Sequence, residues 1–165
     1  MVSDLWSRVD PKELAIVKEA IAEHPVRVGE LANKLGIDVF RSPLPPKISG
    51  MIRPKGDGDG YEIRVNKYEV PERQRFTLAH EIAHFLLHKS DIRAGVVDSV
   101  MYRSALTSRK EAEANRVAAD IVMPMGAVRR ELSALGGVPT EEVAKELALR
   151  FKVSLPAMRV RLGLS

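Results

Sequence analysis

His80-Glu81-Ile82-Ala83-His84 sets two imidazoles four residues apart, with a carboxylate directly after the first. On a helix, residues at that spacing share a face about one turn apart, so both rings can turn toward a single metal ion. Glu81 can then reach a water beside the ion and act as general base. Three of the four histidines of the chain, His80, His84 and His88, fall within nine residues, which gathers most of its imidazole in one place. The chemistry implied is metal-dependent hydrolysis, most naturally of a peptide bond.

The surroundings of this pentapeptide argue against a solvated helix with two surface histidines. From Phe76 to His88, Glu81 is the only Asp, Glu, Lys or Arg. A helix open to water would carry several such residues, whereas a buried carboxylate beside two imidazoles needs a compensating partner, and a cation supplies one.

A catalytic zinc site usually takes three protein ligands and leaves one position open. His24 is the only histidine far from the cluster, so a carboxylate is the natural third donor. Glu111 is preferred, because it shares a face with Ala114, Asn115 and Ala118 on a helix expected over 109–123. Glu113 is the competitor, but it lies about 200° around that helix and is expected to face solvent. Asn115, one turn beyond Glu111, could accept a hydrogen bond from the outer nitrogen of a ligating histidine. His88 sits about 12 Å along the axis from His80, too far for easy joint ligation, and is expected simply to meet the helix C-terminal dipole. Tyr102 and Arg103 could donate to an oxyanion, or could be ordinary loop residues.

Those side chains need a helix from Pro71 to His88, which Pro71 at its first position and Glu72 in its first turn both favour. Segment 91–108 shows no period and is expected to be a loop over the site. The alternating run Tyr61-Glu62-Ile63-Arg64-Val65-Asn66 and the segment 47–53 are expected to pair as a hairpin across the glycine-rich stretch 54–60. Helices are expected over 11–23 and 28–35. Thr140 and Ser154 cap two more, over 141–151 and up to about 162, after a break at Gly136-Gly137-Val138-Pro139.

The chain has 165 residues, 45% hydrophobic and 29% charged, and suits one soluble domain with a substantial core. Its lack of cysteine excludes disulfides, thiolate ligands and a thiol nucleophile. The net charge of +4 comes without any block of five or six Lys or Arg, so it points only weakly toward nucleic acid. No run is long and apolar enough for a membrane span, and the N-terminus lacks the pattern of a signal peptide, so no membrane association and a cytoplasmic location are expected.

Taken together, "ELANKLGI", "ISGMI", "YEIRVN", "RQRFTLAHEIAHFLLH", "EAEANRVAADIVMP" and "ELALRFKVSLPAMRVRLGL" resemble the ImmA/IrrE metallo-endopeptidases of bacteria and their mobile elements, over about residues 26–162. The resemblance implies an α+β fold with a minimal zincin core. In that core a small antiparallel or mixed sheet packs on the HExxH helix and a second metal-site helix, with helical additions at both ends. The whole would be one domain over 1–165, divided into a helical part (1–40), the core (47–126) and C-terminal helices (138–165). It also places the third ligand at Glu111. The metal implied is zinc, although a His/His/Glu set would also take manganese. The partner implied is a protein substrate, a helix-turn-helix repressor or antitoxin-like protein whose cleavage relieves repression. Val117 departs from the family pattern, where an aromatic is usual.

Two alternatives stay open. The segment "IVKEAIAEHPVRVGELANKLGI" or "ELALRFKVSLPAMRVRL" could be a helix-turn-helix that binds DNA directly, with a structural or vestigial zinc site. The chain could also be a protein-binding module with dormant catalysis, although a structural site has no need of Glu81.

Overall fold

The computed structural model describes residues 4–56, 58–93 and 108–164. A 3₁₀ turn, Asp4–Arg8, leads into helices α1 (Pro11–Ala20) and α2 (Val28–Lys34). Three strands follow: β1 (Ile37–Ser42), β2 (Gly50–Pro54) and β3 (Tyr61–Asn66). The remaining helices are α3 (Pro71–Leu87), α4 (Lys89–Arg93), α5 (Ser108–Val122), α6 (Met125–Ala134), α7 (Glu141–Phe151) and α8 (Leu155–Arg161). The fold is α+β, and among the described residues no helix is long and apolar enough to cross a membrane.

The sheet is mixed, in the order β1-β3-β2. β2 and β3 form the expected antiparallel pair, with Ile52 opposite Ile63. β1 runs parallel to β3, with Val39 opposite Ile63, in a stretch expected to close the helical N-terminal part. Its residues, IDVFRS, alternate poorly because β1 is an edge strand: Ile37 is fully buried while Phe40 is largely exposed. Gly36, at φ +80°, turns the chain from the end of α2 straight into this strand, a backbone conformation glycine adopts without strain.

α3 is the centre of the molecule. Every residue from Thr77 to Leu86 is buried, so this stretch of the helix has no solvent face to carry charge. The sheet covers one side of it and α5 the other, and the α3–α5 pair is the most extensive contact between elements. Ala114 and Ala118 are fully buried there, and their small side chains let the two backbones approach. Val117 is also fully buried, so its departure from the family pattern falls in packing. The start of α3 is tied to its neighbours by polar contacts. Gln74 Nε2 donates to the carbonyls of Asn66 and Glu69, and Asn66 Nδ2 donates to those of Leu44, Pro45 and Ile48. Arg75 donates to the carbonyls of Val26, Phe151 and Lys152, which pins both the α1–α2 connection and the end of α7 to the central helix.

α6 and α4 were not expected. Pro124 ends α5, but a proline also suits a helix start, and α6 begins at the next residue. Asp91–Arg93, expected to open a loop, instead completes α4, which Lys110 holds to α5 through Asp91 at 2.8 Å and Lys89 holds to α1 through Glu13 at 2.7 Å.

Candidate metal centre

His80 and His84 lie on one face of α3, with their Nε2 atoms 3.1 Å apart. Glu111, in the first turn of α5, closes the triangle. Its Oε2 is 3.2 Å from His80 Nε2 and its Oε1 is 3.3 Å from His84 Nε2. Donors on a tetrahedral zinc, at bond lengths of about 2.0–2.1 Å, stand about 3.3 Å from one another. The three groups therefore fit a divalent ion at their centre, in chemistry and in spacing. Two imidazoles and a carboxylate also match the borderline character of zinc, and they do not exclude manganese.

Electrostatics agree with that donor set. Burial alone would raise the pKa of Glu111, but the hydrogen bond from His80, with smaller contributions from His84, outweighs it and holds the carboxyl well below the usual range. An ionised carboxylate between two imidazoles is ready to take a cation.

Glu81 is buried, and its side chain opens on the same cleft as His80 and Glu111. The cleft has a volume of about 720 Å³. Phe76 forms part of its wall from α3, and Val153 from the α7–α8 turn with Pro156 and Ala157 from α8 forms another part. The cleft thus combines apolar wall residues with His80, Glu81 and Glu111 and with further polar side chains, Ser49, Glu72 and Arg73 among them.

Three expectations need correction. Asn115 lines the cleft but is exposed, and the outer nitrogen of His84 is met instead by His88, whose Nδ1 lies 3.0 Å from His84 Nδ1. His88 therefore does more than meet the helix dipole. It is 3% exposed, burial pushes its pKa down, and its Nε2 lies 2.9 Å from Glu113 Oε1. Glu113 does not face solvent. It receives two guanidinium hydrogen bonds from Arg8, at 2.8 and 3.3 Å, and these, with the bond from His88, hold its pKa at about 2 against the opposing effect of burial. Helix rotation alone could not show this, because Arg8 comes from the other end of the chain. The suggested oxyanion donors, Tyr102 and Arg103, lie outside the described residues.

Gly50 escaped the sequence reading. A Cβ built on it would lie 2.5 Å from Thr77 Cγ2, 2.9 Å from the Arg64 carbonyl oxygen and 3.8 Å from Glu81 Cγ. A glycine inside a strand, as here at the start of β2, often marks close approach by another element, and that was the available signal.

Residues 32–163 match peptidase family M78, the IrrE N-terminal-like domain. The radiation response metalloprotease IrrE of Deinococcus radiodurans is 38% identical over 92 residues, which are 56% of this chain and 27% of that protein. The protein of the same name from Deinococcus deserti is 32% identical over 147 residues, 82% of this chain and 52% of that protein. The chain thus spans about half the length, or less, of these curated relatives. Among solved structures, a Mycobacterium tuberculosis transcriptional regulator superposes with a TM-score of 0.60 at 20% identity, over 97% of this chain and 49% of that one, a likeness of fold.

Proposed function

Since this chain belongs to the IrrE N-terminal-like family of peptidases, we propose that it is a zinc-dependent endopeptidase that cleaves a regulatory protein of the helix-turn-helix repressor class in the cytoplasm. The observation that carries this is the convergence of His80 Nε2, His84 Nε2 and the Glu111 carboxylate within 3.1–3.3 Å of one another, at the cleft onto which Glu81 opens. The arrangement is read as a minimal zincin core, with α3 and α5 supplying the ligands and β2 as the neighbouring sheet edge.

His80, His84 and Glu111 would hold the ion. When bound, it supplies Lewis acidity to the scissile carbonyl and to the attacking water. Glu81 takes a proton from that water at its carboxylate and returns it to the leaving amine. Burial of Glu81 keeps bulk water from competing for that proton, and His84, fully buried, stays fixed while the substrate changes shape. The apolar wall of Phe76, Val153 and Pro156 suits an apolar side chain next to the scissile bond. The strand with Ile63 and Val65, expected to take an extended peptide by strand addition, lies in the middle of the sheet, so that role falls to β2, an edge strand.

A DNA-binding reading draws on α7 and α8, which are joined by a tight turn with Lys152 in the left-handed region, in the manner of a helix-turn-helix. The basic residues of α8 are engaged within the chain, however. Arg159 pairs with Glu141, and Arg161 bonds Asp120 and the Met123 carbonyl. The turn between these helices also lines the cleft, which favours a role in peptide binding.

The deciding experiment incubates the zinc-loaded protein with the helix-turn-helix repressor encoded nearest its gene. Discrete cleavage by the wild type, absent with chelator, is expected. An intact repressor together with tight duplex DNA binding by the metal-free protein would favour the alternative.

A further inference from the structure

One buried imidazole has no part in the chemistry above. His88 lies beyond the ligand pair, at the C-terminal end of α3, with both ring nitrogens engaged: Nδ1 at 3.0 Å from His84 Nδ1, and Nε2 at 2.9 Å from Glu113 Oε1. Beyond Glu113 stands Arg8, which donates twice to the same carboxylate. We propose that His88 is a positioning residue of the metal centre, holding the His84 ring in the tautomer whose Nε2 is bare and aimed at His80 and Glu111. The role rests on the metallopeptidase reading of the site.

The direction of the chain follows from what each group can donate. An ionised Glu113 only accepts, and it already takes two bonds from Arg8, so the His88 Nε2–H must donate to it. A neutral His88 then presents a lone pair at Nδ1, and His84 must donate its own Nδ1–H. The lone pair of His84 is left on Nε2, the atom that faces His80 and the Glu111 carboxylate at 3.1 and 3.3 Å. A hydrogen on His84 Nε2 would instead set two lone pairs against each other across 3.0 Å. A carboxylate behind an imidazole also raises the basicity of the ligating nitrogen, and here the carboxylate acts through a second ring.

Two further observations fit this role. His80 has no such support: among the described residues its buried Nδ1 has no hydrogen-bond partner, so His84 is the anchored ligand of the pair. The anchor also begins outside the part of the chain shared with the family, because Arg8 precedes residues 32–163. Trp6, 3% exposed, helps to seat that N-terminal turn by donating from Nε1 to Asp120 on α5 at 2.8 Å. α5 thus brings a ligand, Glu111, and the end of the relay, Glu113, to the same histidine helix.

Two measurements on the full chain test this. Long-range ¹H–¹⁵N spectra of the metal-free wild type should show His84 protonated on Nδ1, and His88→Phe should disturb that state. Competition against a zinc-sensitive dye should show zinc bound about 10–100-fold more weakly by His88→Phe. His88→Asn, which keeps an oxygen able to accept the His84 N–H, should recover part of that loss. A merely structural role would leave the His84 tautomer unmoved. Unchanged zinc affinity in a folded His88→Phe, or His84 protonated on Nε2 in the wild type, overturns the proposal. If His88→Phe does not fold, the wild-type tautomer decides. A wild type that binds no zinc would sink the metal reading instead, and the tautomer of the metal-free protein would still judge His88.

Discussion

Gly50 and Thr77 lie so close that a Cβ on the glycine would fall 2.5 Å from Thr77 Cγ2. The contact sets the distance between the edge strand β2 and the helix that carries His80 and Glu81. On the other side the Arg64 carbonyl, 2.9 Å from the same point, belongs to the β3 backbone and has little freedom to retreat.

Gly50→Ala should therefore push β2 away from α3 and shift Glu81 with it. Overpacking of this kind costs about 1–3 kcal/mol. Urea unfolding should show that loss, and peptidase activity should fall further than stability does. Wild-type stability and activity in the variant would mean that the strand and helix can separate freely.

Glu81→Gln keeps the size of the side chain and removes the base. The variant should bind one zinc per chain as the wild type does, while the cleavage rate falls about 10²–10⁴-fold, the usual contribution of a general base. Elemental analysis and a cleavage assay on the same sample check both halves. A variant that cleaves at the wild-type rate would remove Glu81 from the chemistry.

Zinc should stabilise the folded chain, because the three donors converge only there. Free zinc at a hundred times its dissociation constant adds about 2.7 kcal/mol. Thermal melts with and without zinc should show that gain for the wild type and none for Glu111→Ala. A Glu111→Ala protein stabilised as much as the wild type would mean the ion is held elsewhere.

Acid should weaken the packing of α6. The hydrogen bond from His24, aided by Arg150 and opposed by burial, holds the Glu131 carboxyl below its ordinary value. A pKa lowered in the folded state stabilises fully above the ordinary carboxylate range, and that contribution is lost as pH falls through the lowered value. Glu131→Gln should thus be less stable than the wild type near neutrality, with the gap closing below pH about 5. Melting temperatures across that range test it, and parallel curves for the two proteins would contradict it.

How much of the site could be read in advance follows the range of each interaction. Helical periodicity is local, so the positions of His80, Glu81 and His84 relative to one another needed only their spacing. The rotation of α5 likewise singled out Glu111 from Glu113 as the residue to look for. The β2–β3 pair was legible from alternation in Tyr61–Asn66, and the caps of α7 and α8 from Thr140 and Ser154. β1 was not, because an edge strand buries too few side chains to leave a pattern. α6 was hidden by a proline that can both stop and start a helix.

What the chain alone determined is the set of groups able to do chemistry and their order along each helix, since bond geometry and hydrogen bonding within a turn suffice for that. Only the tertiary structure decided which groups became neighbours. It brought Glu111 to the two imidazoles, paired Glu113 with Arg8, passed His84 to His88 and not to Asn115, and packed Gly50 under Thr77. Each of these contacts joins residues on different elements or depends on which of two partners burial favours, and neither follows from spacing along the chain.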